Sequence, residues 1–514
     1  MKSRREFLTD VGRGALTATL GFRIAGDLGF VPAFADPDDA TLSFGPLEPL
    51  VGLLQETPAD KLLPKLMEQL KAGADLRRLV AAAALANARS FGGEDYIGFH
   101  TMMALSPALK MADELPSELQ PLPVFKVLYR NTTRLQETGT RNTLRPVAPA
   151  PLPEGQVGGA ALRDAVRRKD VEGAEKLFAA LAKGGPGDAF NHLLYEVQDA
   201  AEVHRVNLPA RAWELIDVVG AEHAHTMLRQ SLHYCLRFDP NPGASVSGPR
   251  SVLPKMLDQH RLEGKTSGSK TADDAWVEHL CKTIFEGTPE QAADAVAAAL
   301  AEGFAPQVVG EAVSLAANQL ILRDQGRRPT EEQPGKVVGS VHGDSIGVHA
   351  CDSAYAWRRM AMSSNARNTF ACLIVGAWQA AYDRVSRGGD FLKWSALPAQ
   401  GNLDRVATKD PCVLLKDLDA AIRENLQGRA TAIMHRYGEL GHNPGAASDV
   451  LLRYAISEDG ALHAEKFYRT CVEEFAAIRP AFRWRELVAL ARVTASEYGR
   501  PAAGMAEARR LLGA

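Results

Sequence analysis

The sequence is poor in aromatic residues, in cysteine and in net charge. Phe, Trp and Tyr make up 7% of its 514 residues, which argues against the aromatic and β-branched patterning of sheet proteins. A formal charge of −3 leaves no basic footprint for nucleic acid. Cys235, Cys281, Cys351, Cys372, Cys412 and Cys471 stand far apart with no CxxC pair. That is unlike a disulfide-stapled scaffold, and most of them are expected to be buried small apolar residues. No GxxxxGK[ST] loop, GxGxxG fingerprint, HExxH or CxxCH occurs, which excludes covalent c-type haem and the standard nucleotide and zincin motifs. No run of about 18 apolar residues follows the N-terminus, so no membrane span is expected in the mature chain.

What the chain does have is helix-forming sequence. Apolar residues account for 46% and charged residues for 24%, with Ala, Leu, Glu and Arg plentiful. Leu, Ala and Val recur at three- and four-residue spacing in 60-DKLLPKLMEQLKAG-73, 288-TPEQAADAVAAALAEG-303, 309-VGEAVSLAANQLILRD-324 and 484-WRELVALARVTASEYG-499. Thr288-Pro289-Glu290 is a helix start, and Gly73 and Gly303 are helix stops. Residues 144–159, 263–271 and 325–340 are Pro/Gly-rich or polar loops. Three segments, 62–90, 174–203 and 292–320, each read as a helix, a Gly-containing turn and a second helix. Each is followed by a histidine entering another helix: His100, His204 and His349. The expected fold is all-α, with stacked helical hairpins forming a superhelix or ring-like array and the recurring histidine lining one inner surface. The expected regions are an N-terminal helical region over 36–143 and a main helical region over 160–514 that holds a histidine-rich cavity.

The N-terminus carries 3-SRREFL-8, a modest apolar stretch 14-GALTATLGF-22 and a small-x-small site 33-AFA-35 before Asp36. This resembles the bacterial twin-arginine export signal over residues 1–35. Thr9 stands where that signal usually has Lys, and Arg23 and Asp27 interrupt the apolar region. The resemblance implies the twin-arginine export machinery as a partner and a periplasmic or secreted location. It also implies passage in the folded state, often with a cofactor already loaded.

Histidines are concentrated. The stretch 221-AEHAHTMLRQSLHYC-235 holds three of the chain's 13. At about 100° per residue, Glu222, His225, Arg229 and His233 fall on one stripe roughly 60° wide, with His223 pointing away. Leu228, Leu232, Tyr234 and Cys235 make the helix largely apolar, so this stripe is expected to face partners, a cavity or an ion. Glu222-x-x-His225 also has the Glu-x-x-His spacing of di-iron helical bundles. A second dense site is 341-VHGDSIGVHACDSAYAWRR-359. There His342 and His349 are seven residues apart, Asp344 or Ser345 can cap the next helix, and Asp352 sits one turn from His349. His463 and Lys466 read as structural or as an exposed helix face, and His260 and His279 as surface residues.

Helical chains with histidines entering successive helices and a signature such as 348-VHACDSAYA-356 resemble the questin-oxidase-like family over roughly residues 170–480. The resemblance implies oxygen insertion into a ring ketone, with His204, His225, His342 and His349 as site positions. An export signal departs from that family and conflicts with a nicotinamide-dependent cycle. The functional expectation is therefore an exported oxidoreductase acting on a small organic molecule. Its metal ligands are expected among His100, His204, His225, His233, His342 and His349, with Glu222, Arg229 and Asp352 as catalytic groups and iron or copper as cofactor. The alternatives are a non-catalytic superhelix binding a peptide or protein, and a metal-free hydrolase or lyase with histidine as acid and base. Replacing Arg4 and Arg5 with Lys is expected to leave the precursor in the cytoplasm and abolish a mature chain starting near Asp36; fractionation and N-terminal sequencing check this.

Overall fold

The computed structural model describes residues 41–138, 143–152, 155, 157–237, 243–386 and 390–513. The twin-arginine stretch and its cleavage site lie outside the described residues. The protein is 72% helical, with 23 α-helices and no strand among the described residues. None of those helices is long and apolar enough to cross a membrane.

Local chemistry sets the helix ends. Asp75 accepts the Arg78 N–H ahead of the helix Leu76–Phe91. Thr288 and Gln291 form a reciprocal capping box ahead of Pro289–Ala301. Of the two candidates at the second histidine site, Ser345 is the cap of Ile346–Met362. Gly73 and Gly303, at φ +94° and +87°, turn the chain out of the helices that precede them. The three hairpins expected from the sequence are present as Ala59–Lys71 with Leu76–Phe91, Val171–Leu181 with Pro186–Val197, and Pro289–Ala301 with Pro306–Arg323.

The chain divides into two compact units, neither continuous in sequence. The first comprises the described parts of Met1–Leu105, Leu128–Glu196 and Arg211–Asp239. Its core is the alanine-rich helix Leu76–Phe91, buried from Leu79 onward. Small side chains there let Glu48–Glu56 and Ala224–Arg237 pack against it. Arg89 on this helix donates to Glu48 Oε1 at 2.6 Å and to the Leu42 carbonyl at 2.8 Å, so its buried charge is partnered.

The second unit comprises Ser106–Val127, Val197–Ala210 and the described parts of Pro240–Ala514. Its centre is three helices, Pro306–Arg323, Ile346–Met362 and Ala366–Ser386, each packed on the next. Trp357 is fully buried among them and donates its indole N–H to Gln379 Oε1 at 2.7 Å. A Cβ on Gly347 would stand 2.5 Å from the Ile321 backbone. Glycine is therefore what lets Ile346–Met362 lie directly on Pro306–Arg323. The helices His463–Ala477 and Trp484–Glu497 pack on each other, and the former also packs on Ile346–Met362. Replacing Thr288 with Ala removes one capping bond and is expected to lower stability by about 1 kcal/mol, read as a shifted denaturation midpoint with unchanged slope.

Candidate functional site

In the first unit, Ala221–His223 is a single 3-10 turn and the α-helix begins at Ala224. Glu222 is therefore off the helix, exposed, and separate from the stripe in which the sequence placed it. His223 packs its ring edge-on against Phe44 at 5.5 Å, on a different face as expected. His225, Arg229 and His233 do share a face, and it is turned toward Val171–Leu181. There Glu175 accepts from Arg229 and, at 2.6 Å, from His233 Nε2. Glu94 takes His233 Nδ1 at 3.1 Å and also pairs with Arg237. Arg229 donates a further bond to the Arg145 carbonyl at 2.8 Å.

Two carboxylates thus hold both nitrogens of one imidazole. Burial opposes charge on His233, but the bonds to Glu175 and Glu94 outweigh it and raise its pKa above the ordinary 6.5. Burial likewise disfavours the charged form of Glu175, yet Arg229 and His233 hold its pKa at about 2. An imidazolium with both N–H groups engaged has no lone pair to give a metal. In this structure His233 is an ion-pair residue held between Glu175 and Glu94. His225 differs. Burial and the nearby Arg229 hold its pKa at about 3. Its ring lies 5.5 Å from that of Phe178. It lines a cavity of about 290 Å³ with Ala179, Lys183 and Glu222. His100 sits in its own helix, Nδ1 at 2.6 Å from the Tyr96 carbonyl and its ring stacked on Phe99.

The second unit brings histidines together from three distant segments. The rings of His204 and His349 are 6.0 Å apart, and those of His349 and His463 are 5.5 Å apart. His204 Nδ1 bonds to Glu202 Oε1 at 2.7 Å. His463 and Lys466 are 6% and 3% exposed, which corrects the expectation of an exposed face. The reason is Gly343: a Cβ there would lie 2.2 Å from the Cβ of His463, so the loop before Ile346–Met362 closes directly over that histidine. Around the row the buried polar groups are paired. Asp352 accepts from Thr470 at 2.7 Å, Lys126 pairs with Glu465 at 2.7 Å, and Arg358 with Glu474 at 2.5 Å. Asp352 is thus bound to Thr470 across the helix interface, one turn from His349.

The same loop borders a cavity of about 470 Å³ lined by Arg327, Ser340, His342, Ser345, Phe391 and Trp394 among others. His342 Nε2 is 3.0 Å from Ser340 Oγ, and its Nδ1 is 4.0 Å from Glu497 Oε1. Burial, with Arg500 and Lys336 nearby, lowers the His342 pKa to about 3. Burial raises that of Glu497 to about 7, although the Gly343 N–H bond pulls the other way. The stretch 343-GDSIG-347 also has the Gly-x-Ser-x-Gly spacing, but no strand precedes it. Ser345 accepts the Val348 N–H as a helix cap.

Among the described residues no group of three or more His, Cys, Asp or Glu side chains is placed to hold a metal ion. The six histidines expected as ligands therefore do not come together as one donor set among the described residues. Glu94, Glu175, Lys126, Glu465 and Glu497 were not singled out in the sequence. No local pattern marks them, because Glu94, Glu175 and Glu465 each stand next to another charged residue. No protein-family model, curated protein or solved structure matches the chain.

The His233 network has a defined pH window. Its imidazolium contribution is complete below 6.5 and is lost as pH rises through the elevated folded value. The carboxylate contribution of Glu175 is complete above 4.5 and is lost as pH falls toward about 2. The stability difference between wild type and His233→Ala is expected to be largest between these limits and to shrink on both sides, measured by denaturant titration across pH. Glu175→Ala, which strands Arg229, is expected to cost about 3–5 kcal/mol.

Proposed function

We propose that the protein is an enzyme whose reacting groups are the imidazoles of the second unit, an oxidoreductase acting on a small organic molecule. The observation that carries this reading is the row His204–His349–His463, with neighbouring rings 6.0 and 5.5 Å apart. A helical scaffold that only binds a peptide on its surface has no need to gather imidazoles, one buried and two half-buried, from three distant segments. They stand beside the buried groups Asp352, Lys126 and Glu465, each of which needs the partner it has, and clusters of titratable groups in such surroundings mark functional sites. Imidazole is the side chain best suited to exchange protons near neutral pH.

The reaction class comes from the resemblance to the questin-oxidase-like family, which implies oxygen insertion into a ring ketone. The export-like N-terminus places a periplasmic or secreted setting in the same reading, with an electron donor other than a nicotinamide. Iron or copper that survived chelation and vanished in His349→Ala would add an ion at this row.

The test is oxygen uptake with a panel of cyclic ketones and an added two-electron donor. Wild type is expected to give a product carrying one extra oxygen atom. His349→Ala and His463→Ala are each expected to reduce uptake by about 100-fold or more while the far-UV circular dichroism stays helical. Full activity in both variants would end the proposal.

A further inference from the structure

The cavity of about 470 Å³ carries groups that the histidine row does not use. We infer that Ser340, His342 and Glu497 form a nucleophile, base and positioning carboxylate on its wall, and that this cavity cleaves small carboxylic esters. The argument is geometric. In acyl-transfer sites a serine oxygen meets one imidazole nitrogen and a carboxylate faces the other, on unrelated folds and in any chain order. Here Ser340 Oγ is 3.0 Å from His342 Nε2, and Glu497 Oε1 is 4.0 Å from Nδ1. All three residues are buried, at 5%, 3% and 7% exposure, yet Ser340 and His342 border the cavity.

Arg327, which also lines the cavity, supplies the oxyanion donor of this assignment. The Arg327 N–H bonds to the Ser340 carbonyl at 3.0 Å, which sets the two residues side by side. Gly326, at φ +75°, permits this: a Cβ there would stand 2.3 Å from the Gly339 carbonyl oxygen and 2.8 Å from that of Ser340. The Arg327 guanidinium is fixed by both oxygens of Asp344, at 2.7 and 2.5 Å, and by the Glu331 carbonyl at 3.1 Å. Its buried Nε–H finds no acceptor among the described residues. A fixed guanidinium with an unanswered N–H, on the residue whose backbone meets that of Ser340, is the donor we assign to a developing oxyanion. Phe391 and Trp394 supply an apolar wall for a flat acyl or alcohol group.

The Ser340 hydroxyl points at the Val337 carbonyl, 2.6 Å away. One hydroxyl rotation turns its proton toward His342, whose other ring nitrogen faces Glu497 Oε1 at 4.0 Å. Ser340 Oγ then bonds to the ester carbonyl carbon as its proton passes to His342. The tetrahedral intermediate collapses, the bond to the alcohol oxygen breaks, and His342 returns the proton to that leaving group. Water attacks the acyl-serine with His342 taking its proton. The Ser340 ester bond breaks, Ser340 is reprotonated, and a carboxylic acid leaves. Water is the sole co-reactant, so the activity needs neither oxygen nor an electron donor and stands or falls apart from the oxidation proposed above.

The experiment uses the full chain with p-nitrophenyl acetate and a fluorophosphonate, which phosphonylates an activated serine with loss of fluoride. Hydrolysis and a single adduct on Ser340, located by peptide mass spectrometry, are expected. Ser340→Ala should lose both, and His342→Asn should slow both by at least about 1000-fold. Glu497→Gln keeps the acceptor for the Gly343 N–H. It should lower kcat by about 10²–10⁴-fold with KM changed less than twofold and an unshifted melting midpoint, a split that a purely structural role would not give. No adduct on folded wild-type protein would overturn the inference. So would an adduct on Ser345 in place of Ser340, or labelling that persists in folded His342→Asn.

Discussion

The buried ion pair between Lys126 and Glu465, 2.7 Å long with side chains 3% and 0% exposed, shows the constraint that shapes the second unit. A charge taken into a helical interior must be answered there, because the helix backbone has already used its own hydrogen-bonding groups. The helix His463–Ala477 buries Glu465, Lys466, Thr470 and Glu474 together with His463. Its partners arrive from separate segments: Lys126, Asp352 and Arg358. Each pairing allows one axial position and one rotation of the helix. A sliding or turned helix would strand several charges at once, so the position of His463 beside His349 follows from pairs that do not include either ring.

The first unit meets the same constraint with a different result. His233 is surrounded by carboxylates on both edges and Arg229 is shared between Glu175 and a carbonyl. Cations and carboxylates alternate along the network, from Arg229 through Glu175 and His233 to Glu94 and Arg237, which makes a structural clasp. In the second unit, imidazoles meet imidazoles. One side chain type serves as a fastener where anions enclose it and stands ring to ring with its own kind in the second unit.

Backbone proximity does the rest. Gly343 sits against His463, Gly347 against Ile321 and Gly326 against Gly339 and Ser340, each at distances a Cβ would forbid. Consecutive residues of one short loop therefore face different surroundings. His342 borders the cavity while Gly343 covers the histidine row, and Ser345 starts the helix that carries His349 and Asp352. The glycines look unremarkable as a composition, yet they decide which side chains can meet.

Much of the fold was legible in the chain. The 3.6-residue apolar period, Thr288 with its proline, Gly73 and Gly303, and the polar loop at 263–271 located helices and their ends, because helices are made by contacts within a few residues. The same period put His225, Arg229 and His233 on one face. It failed for Glu222, since the turn Ala221–His223 is 3-10 and the α-helix begins after it. It failed again for His463, whose neighbours become an interior only when Gly343 lies over them. Glu175 and Glu94 are 58 and 139 residues distant from His233, and no local pattern announces such partners. The sequence by itself determined the helical class, the helix ends and which residues share a helix face, all of them short-range properties. Which histidine meets a carboxylate, which meets another histidine and which borders a cavity was decided by tertiary packing alone, because burial and charge pairing depend on segments that the chain brings together only on folding.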